Sequence, residues 1–99
     1  MILKERRTEQ GLLVSVCDAD VLGETFENGE VSLTVEEGFY GGDAADEVEA
    51  DAVVESLGRA SVANLVGTEC VELAIEAGII EATQVLELDG TLHAQYLRF

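Results

Sequence analysis

Glu27-Asn28-Gly29-Glu30, followed by Val31-Ser32-Leu33-Thr34-Val35, is the stretch on which the reading of this chain turns. Asn-Gly supplies the positive φ angles that a type I′ turn demands, so a tight hairpin is expected here. The strand after the turn alternates strictly, with Val31, Leu33 and Val35 toward a core and Ser32 and Thr34 outward. Working back, Val21 to Phe26 reads as the partner strand, interrupted by Gly23. Upstream of it, Asp18-Ala19-Asp20 breaks the run Leu12-Leu13-Val14-Ser15-Val16-Cys17, apolar enough for a central strand. Ile2 to Thr8 pairs with that run as a second hairpin, through Glu9-Gln10-Gly11.

Downstream the hydrophobic period changes. From Asp43 a helix is expected, with Asp46, Glu47 and Glu49 in its first turn, where the macrodipole favours negative charge. Val48, Ala52, Val53 and Leu57 form its apolar side and Gly58 ends it. A second short helix is expected over Ala60 to Val66, punctuated by Gly67, unless Gly67 lies inside one longer helix at about 1 kcal/mol relative to Ala. Thr68 would cap a third helix running to Ala77, with Val71, Leu73, Ala74 and Ala77 inward and Gly78 at its end. Gln84 to Leu88 and Leu92 to Leu97 close the chain as a hairpin around Asp89-Gly90. Strands, then helices, then strands is the α+β order. The expected fold is a small, mostly antiparallel sheet of hairpins with two or three helices packed on one side, a single domain over residues 1–99.

Composition narrows the setting. Ninety-nine residues, 47% of them apolar, suffice for one core, and the absence of Trp leaves that core to aliphatic side chains. Twenty-one acids face five bases, a formal net charge of −16. Such self-repulsion works against a compact state in dilute buffer, whereas a Debye length of about 3 Å at 1 M salt removes most of it. Disordered chains of extreme charge are poor in apolar residues, and this one is not. A folded domain with a carboxylate coat suited to a very salty cytoplasm is the expectation. Apolar stretches fall far short of the ~20 residues of a membrane span, and charged Met1 to Arg7 lacks the apolar region of a signal peptide. Cys17 and Cys70, each beside a valine, read as small buried hydrophobes.

Residues able to carry chemistry are few. His93 is the single histidine, and Cys17 or Cys70 would have to be brought to it to make a nucleophile and base; a strand-end structural role is the simpler reading. Asp18-Ala19-Asp20 opens like a calcium loop, but the sixth position is Gly23 and the twelfth is Gly29, where glutamate is required. No metal site and no cofactor are expected. Phe39-Tyr40-Gly41-Gly42 sets two aromatics beside two glycines and reads as a plug between helices and sheet, or as one wall of a ligand site. The bases cluster at the termini: Lys4, Arg6 and Arg7 in the first strand, Arg98 in the last, with Arg59 elsewhere. Were the terminal strands neighbours, four cations would meet at one sheet edge and face RNA phosphate or an acidic protein. They would otherwise pair with nearby glutamates and guard the edge.

Leu13-Val14-Ser15-Val16-Cys17-Asp18, Leu22-Gly23-Glu24-Thr25-Phe26-Glu27-Asn28-Gly29, Phe39-Tyr40-Gly41-Gly42, Ala63-Asn64-Leu65-Val66-Gly67, Val71-Glu72-Leu73-Ala74-Ile75 and His93-Ala94-Gln95 follow one another along the chain. Blocks in this order resemble the archaeal family of uncharacterised proteins called DUF424. Glu24 stands where the resemblance leads one to expect a base. The resemblance implies a cytoplasmic archaeal protein of one domain and carries no reaction with it. The expected function is therefore a non-catalytic interaction module tied to the ribosome, RNA or a translation protein, with neither DNA nor a membrane indicated. Its contacts are expected at Lys4, Arg6, Arg7 and Arg98. The alternatives are a small enzyme with a pocket around Tyr40, Asn64, His93 and Gln95, or a structural homodimer.

Overall fold

Strand β1 (Ile2–Thr8) turns through Glu9-Gln10 into β2 (Gly11–Cys17), and the two pair antiparallel from Ile2↔Cys17 to Thr8↔Gly11. The computed structural model describes residues 1–98. After β2 come β3 (Thr25–Asn28), β4 (Val31–Thr34), helix α1 (Glu37–Tyr40), β5 (Ala45–Glu47), α2 (Ala50–Arg59), β6 (Val62–Val66), α3 (Thr68–Glu76), β7 (Leu86–Leu88) and β8 (Thr91–Leu97). Six strands form one sheet in the order β5-β1-β2-β6-β8-β7, and β3 with β4 forms a separate hairpin. Every adjacent pair is antiparallel except β2 and β6, which run parallel. The fold is α+β, with α2 and α3 on one face of the sheet.

Residues paired in register turn their side chains to the same face, so parity sorts the sheet into two surfaces. The first face carries Leu12, Val14 and Val16 of β2, Ala63 and Leu65 of β6 and Ala94 of β8. These pack with Val53 and Leu57 of α2 and with Cys70, Val71 and Ala74 of α3. Val53 and Leu57 stand one helical turn apart, which is how a short helix presents a stripe to a sheet. Leu57 and Leu65 are fully enclosed, each adding about 1.5–3 kcal/mol relative to exposure. On the second face a smaller cluster joins Cys17 and Val66 to Val21, Val35 and Tyr40. The β3–β4 hairpin, α1 and a short 3-10 turn at Ala19–Val21 thus form a lid over one part of this face.

Several expectations change. Residues Ala60 to Val66 are not helical: Val62–Val66 is a central strand between β2 and β8. Val62-Ala63-Asn64-Leu65-Val66 is apolar on nearly every position because both its faces are partly covered, so its periodicity does not separate strand from helix. The acidic run expected in a first helical turn is instead β5, whose Ala45–Glu47 pairs with Ile2–Lys4, and α2 begins only at Ala50. Val21 to Phe26 is not one strand, because the 3-10 turn takes Val21 and Gly23 adopts φ 87° before β3 begins at Thr25. The hairpin at Asn28-Gly29 is present, but its loop is Gly29-Glu30, with φ 62° at Gly29 in the first central position. That is the position for which a type II′ turn requires glycine. Asn28 remains in the strand and its Nδ2 donates to Glu87 O at 3.0 Å. Val31 in the next strand is half exposed, while Val35 is fully buried.

Helix α3 is capped from a distance. Its N-cap residue is Gly67, and the carboxylate of Asp18 accepts from Glu69 N at 2.8 Å and from Cys70 N at 2.9 Å. A side chain at Gly67 would meet that carboxylate at 2.3 Å, and its φ of 129° is strained for any other residue. Asp18 thereby replaces the local cap expected of Thr68.

Candidate interaction surface

The lid leaves part of the second face open. Reading across the sheet, one row runs Lys4–Ser15–Asn64–Gln95 and the next runs Arg6–Leu13–Val62–Leu97. Asn64, Leu13 and Val62 are half-buried, Gln95 is exposed and Leu97 is 64% exposed. Among the described residues, none of the side chains that β1, β2, β6 and β8 turn to this face is a carboxylate. In a chain of 21 acids that is a marked local departure.

Lys4 and Arg6 lie at the β1 end of the two rows and reach up to the lid. Lys4 Nζ donates to Gly38 O and Gly41 O, both at 2.9 Å, and Arg6 donates to Gly38 O at 2.8 Å. Arg6 also lies over the Phe39 ring, 5.0 Å from its centroid. The carbonyls at the end of α1 need donors, and cations suit the negative end of a helix. Carbonyl oxygens satisfy these side chains without cancelling their charge.

The four terminal cations do not form one patch. Arg7 faces the opposite side of β1 from Lys4 and Arg6. Arg98 donates to Gly58 O at 2.8 Å, at the end of α2, and lies over the Tyr96 ring at 5.5 Å. Strands β2 and β6 separate β1 from β8, three spacings or about 14 Å. Arg59 is paired with Glu5 and Glu55, at 2.6 Å each. Glu5 also accepts from Ser56 Oγ, and that hydrogen bond, with Arg59 beside it, holds its carboxyl below the ordinary glutamate range.

The candidate pocket residues are placed differently from one another. Asn64 and Gln95 are cross-strand partners. Tyr40 is buried beneath the lid with its ring edge-on to Phe39 at 5.0 Å, the seam-plugging role. Burial raises its hydroxyl pKa well above the usual range. His93 is half-buried, and its Nδ1 lies 2.8 Å from Leu65 O. Gln95 lines a groove of about 350 Å³ with Val62, Gln84, Tyr96 and Leu97, to which Tyr40, Asn64 and His93 contribute nothing. Burial pushes the Cys17 thiol up to about 11 and the Cys70 thiol higher still. Cys70 Sγ is engaged with Val66 O at 3.3 Å. Both sulfurs are thus held as neutral thiols, the form that neither attacks nor binds metal.

Leu13, Ser15, Val62 and Leu97 were not singled out from sequence. A signal for them exists: residues 10–17, 56–68 and 90–99 carry no acid, and each holds one strand of the open face.

A family model described as "Protein of unknown function (DUF424)" matches residues 5–99. The chain belongs to the DUF424 family. Its fold is shared by a solved structure, an uncharacterized conserved protein from Methanopyrus kandleri, at a TM-score of 0.74 and 23% identity. That alignment covers 99% of this chain and 92% of the other. Among curated proteins none matches. Among the described residues of this DUF424 protein, no helix is long and apolar enough to cross a membrane.

Proposed function

We propose that this DUF424 protein is a non-catalytic interaction module of the translation apparatus in a high-salt cytoplasm. Its contact surface is the open part of the second sheet face. The observation that supports this most directly is that the two open rows carry no carboxylate while they hold the amides of Asn64 and Gln95 and the exposed side chain of Leu97. Carboxylates resist losing their hydration on contact, in high salt as in low, so contact is favoured where the coat is interrupted. Amide side chains donate and accept hydrogen bonds irrespective of salt, which suits recognition where ionic contacts are screened. The ribosome, its RNA or a translation protein is the partner in this reading, and Lys4 and Arg6 border the contact.

The test is affinity capture from a lysate of the native host at native salt, comparing the natural chain with Gln95→Glu. Ribosomal proteins or RNA enriched by the natural chain and lost with Gln95→Glu would support the reading. Absence of both from the natural chain's eluate removes the translation link. Equal capture by the two chains removes the face.

A further inference from the structure

The open face favours one kind of occupant. The row Arg6–Leu13–Val62–Leu97 sets a cation at one end of three adjacent aliphatic side chains, over about 14 Å. A helix covers that distance in roughly ten residues. Resting on the interaction-module reading above, we propose that this row docks an acidic amphipathic helix of a partner protein. The apolar stripe of that helix would lie on Leu13, Val62 and Leu97, and a carboxylate would reach Arg6 and Lys4.

Charge complementarity identifies the occupant. Arg6 and Lys4 are hydrogen-bonded to carbonyl oxygens of residues 38, 39 and 41, so their positive charge is positioned but uncancelled. Among the described residues the ion pairs are those of Arg59, although acids outnumber bases roughly four to one. A carboxylate on Arg6 can be held by two parallel N–H···O bonds, whose geometry persists where salt screens the longer-range attraction.

RNA fits less well. Sheet surfaces that bind single strands stack bases on aromatic side chains, and β1, β2, β6 and β8 turn no aromatic ring other than His93 to this face. Affinity built on phosphate contacts also falls steeply with salt. A second copy of the chain would set Arg6 and Lys4 against rows that hold no carboxylate to meet them; Glu47 of β5 lies beside Ile2, at the far edge of the sheet from Leu97.

The experiment uses the full chain with methyl-labelled Leu and Val in molar potassium chloride. The main probe is a helical peptide of about 18 residues, Glu on its polar side and Leu at helical spacing. Its companions are a scrambled version, a version with Lys for Glu, and a uridine oligonucleotide of similar length. The acidic amphipathic peptide is expected to shift the methyl signals of Leu13, Val62 and Leu97. Its affinity should fall about tenfold or more with Leu97→Glu and about threefold with Arg6→Gln. Equal binding of the scrambled or Lys-bearing peptide overturns the proposal. So do shifts caused by the oligonucleotide alone, which would make this a nucleic-acid surface. Silence from every probe, with lysate capture still lost in Gln95→Glu, overturns the acidic helix and leaves the interaction module standing. Lysate capture insensitive to Gln95→Glu removes this face from the module reading and leaves the module itself, and the peptide shifts then decide the docking row by themselves.

Discussion

The two faces of the sheet use the same strands for opposite purposes. On the first, Leu12, Val14, Val16, Ala63, Leu65 and Ala94 are sealed beneath α2 and α3. On the second, one residue along each strand, the lid covers Cys17 and Val66 while Leu13, Val62 and Leu97 keep access to solvent. Polarity follows coverage. At the rim of the first face Glu5 is held by Ser56 and Arg59. The uncovered rows instead hold amides, aliphatics and two cations engaged with the lid. Stability therefore resides mainly on one side of the sheet, and the proposed contact surface lies on the other.

The contrast can be broken most severely through salt. Transfer from molar salt to dilute buffer is expected to lower the unfolding midpoint strongly or abolish folding, followed by circular dichroism. A chain equally stable in both would show that the coat carries no penalty, and the acid-free rows would lose their distinction. Next in size is the sealed face. Leu65→Ala should cost about 2–5 kcal/mol in denaturant unfolding, because Leu65 is fully enclosed. Asp18→Ala should follow at about 1–2 kcal/mol through loss of the α3 cap, read in the same experiment.

The acid limb gives a smaller effect. Glu5 has a folded pKa below its unfolded value, so between the two the unfolded chain binds more protons. The stability it contributes is present above the unfolded value, about 4.3, and is lost as pH falls through the lower folded value. Glu5 is exposed enough that this stays below about 1 kcal/mol, and Glu5→Gln should flatten the stability curve over that window. Smallest of all, Leu97→Ala on the open face should change stability by no more than about 0.5 kcal/mol. A large loss there would mean the second face is as structural as the first.

Much of the fold was legible in the sequence because its signals were local. Thr8 to Gly11 and Asp89-Gly90 mark hairpins by turn chemistry, and Val71 and Ala74 mark α3 by spacing. Strand β6 was misread because its character comes from neighbours far away in the chain: β2 on one side and β8 on the other make Val62-Ala63-Asn64-Leu65-Val66 extended. Strand β5 was lost for a similar reason, since Ala45-Asp46-Glu47 has little strand propensity and is recruited by the free edge of Ile2–Lys4. The candidate surface was legible only in part. Asn64, Gln95, Lys4 and Arg6 were named, but their alignment in rows depends on register. Arg7 and Arg98 were grouped with Lys4 and Arg6 from proximity to the termini, and the intervening pair of strands separates Arg98 from them.

The parallel pairing of β2 with β6 bears on the order of assembly. Leu13 finds Val62, and Asp18 finds Glu69 across 51 residues, so neither bond forms before most of the polypeptide has left the ribosome. Until then the N-terminal hairpin exposes both of its sides, with little to hold it. Such long-range closure slows folding and makes the half-made chain prone to association. The tightly held hydration of nascent carboxylates would then act as a safeguard against clumping, independent of anything the finished molecule does.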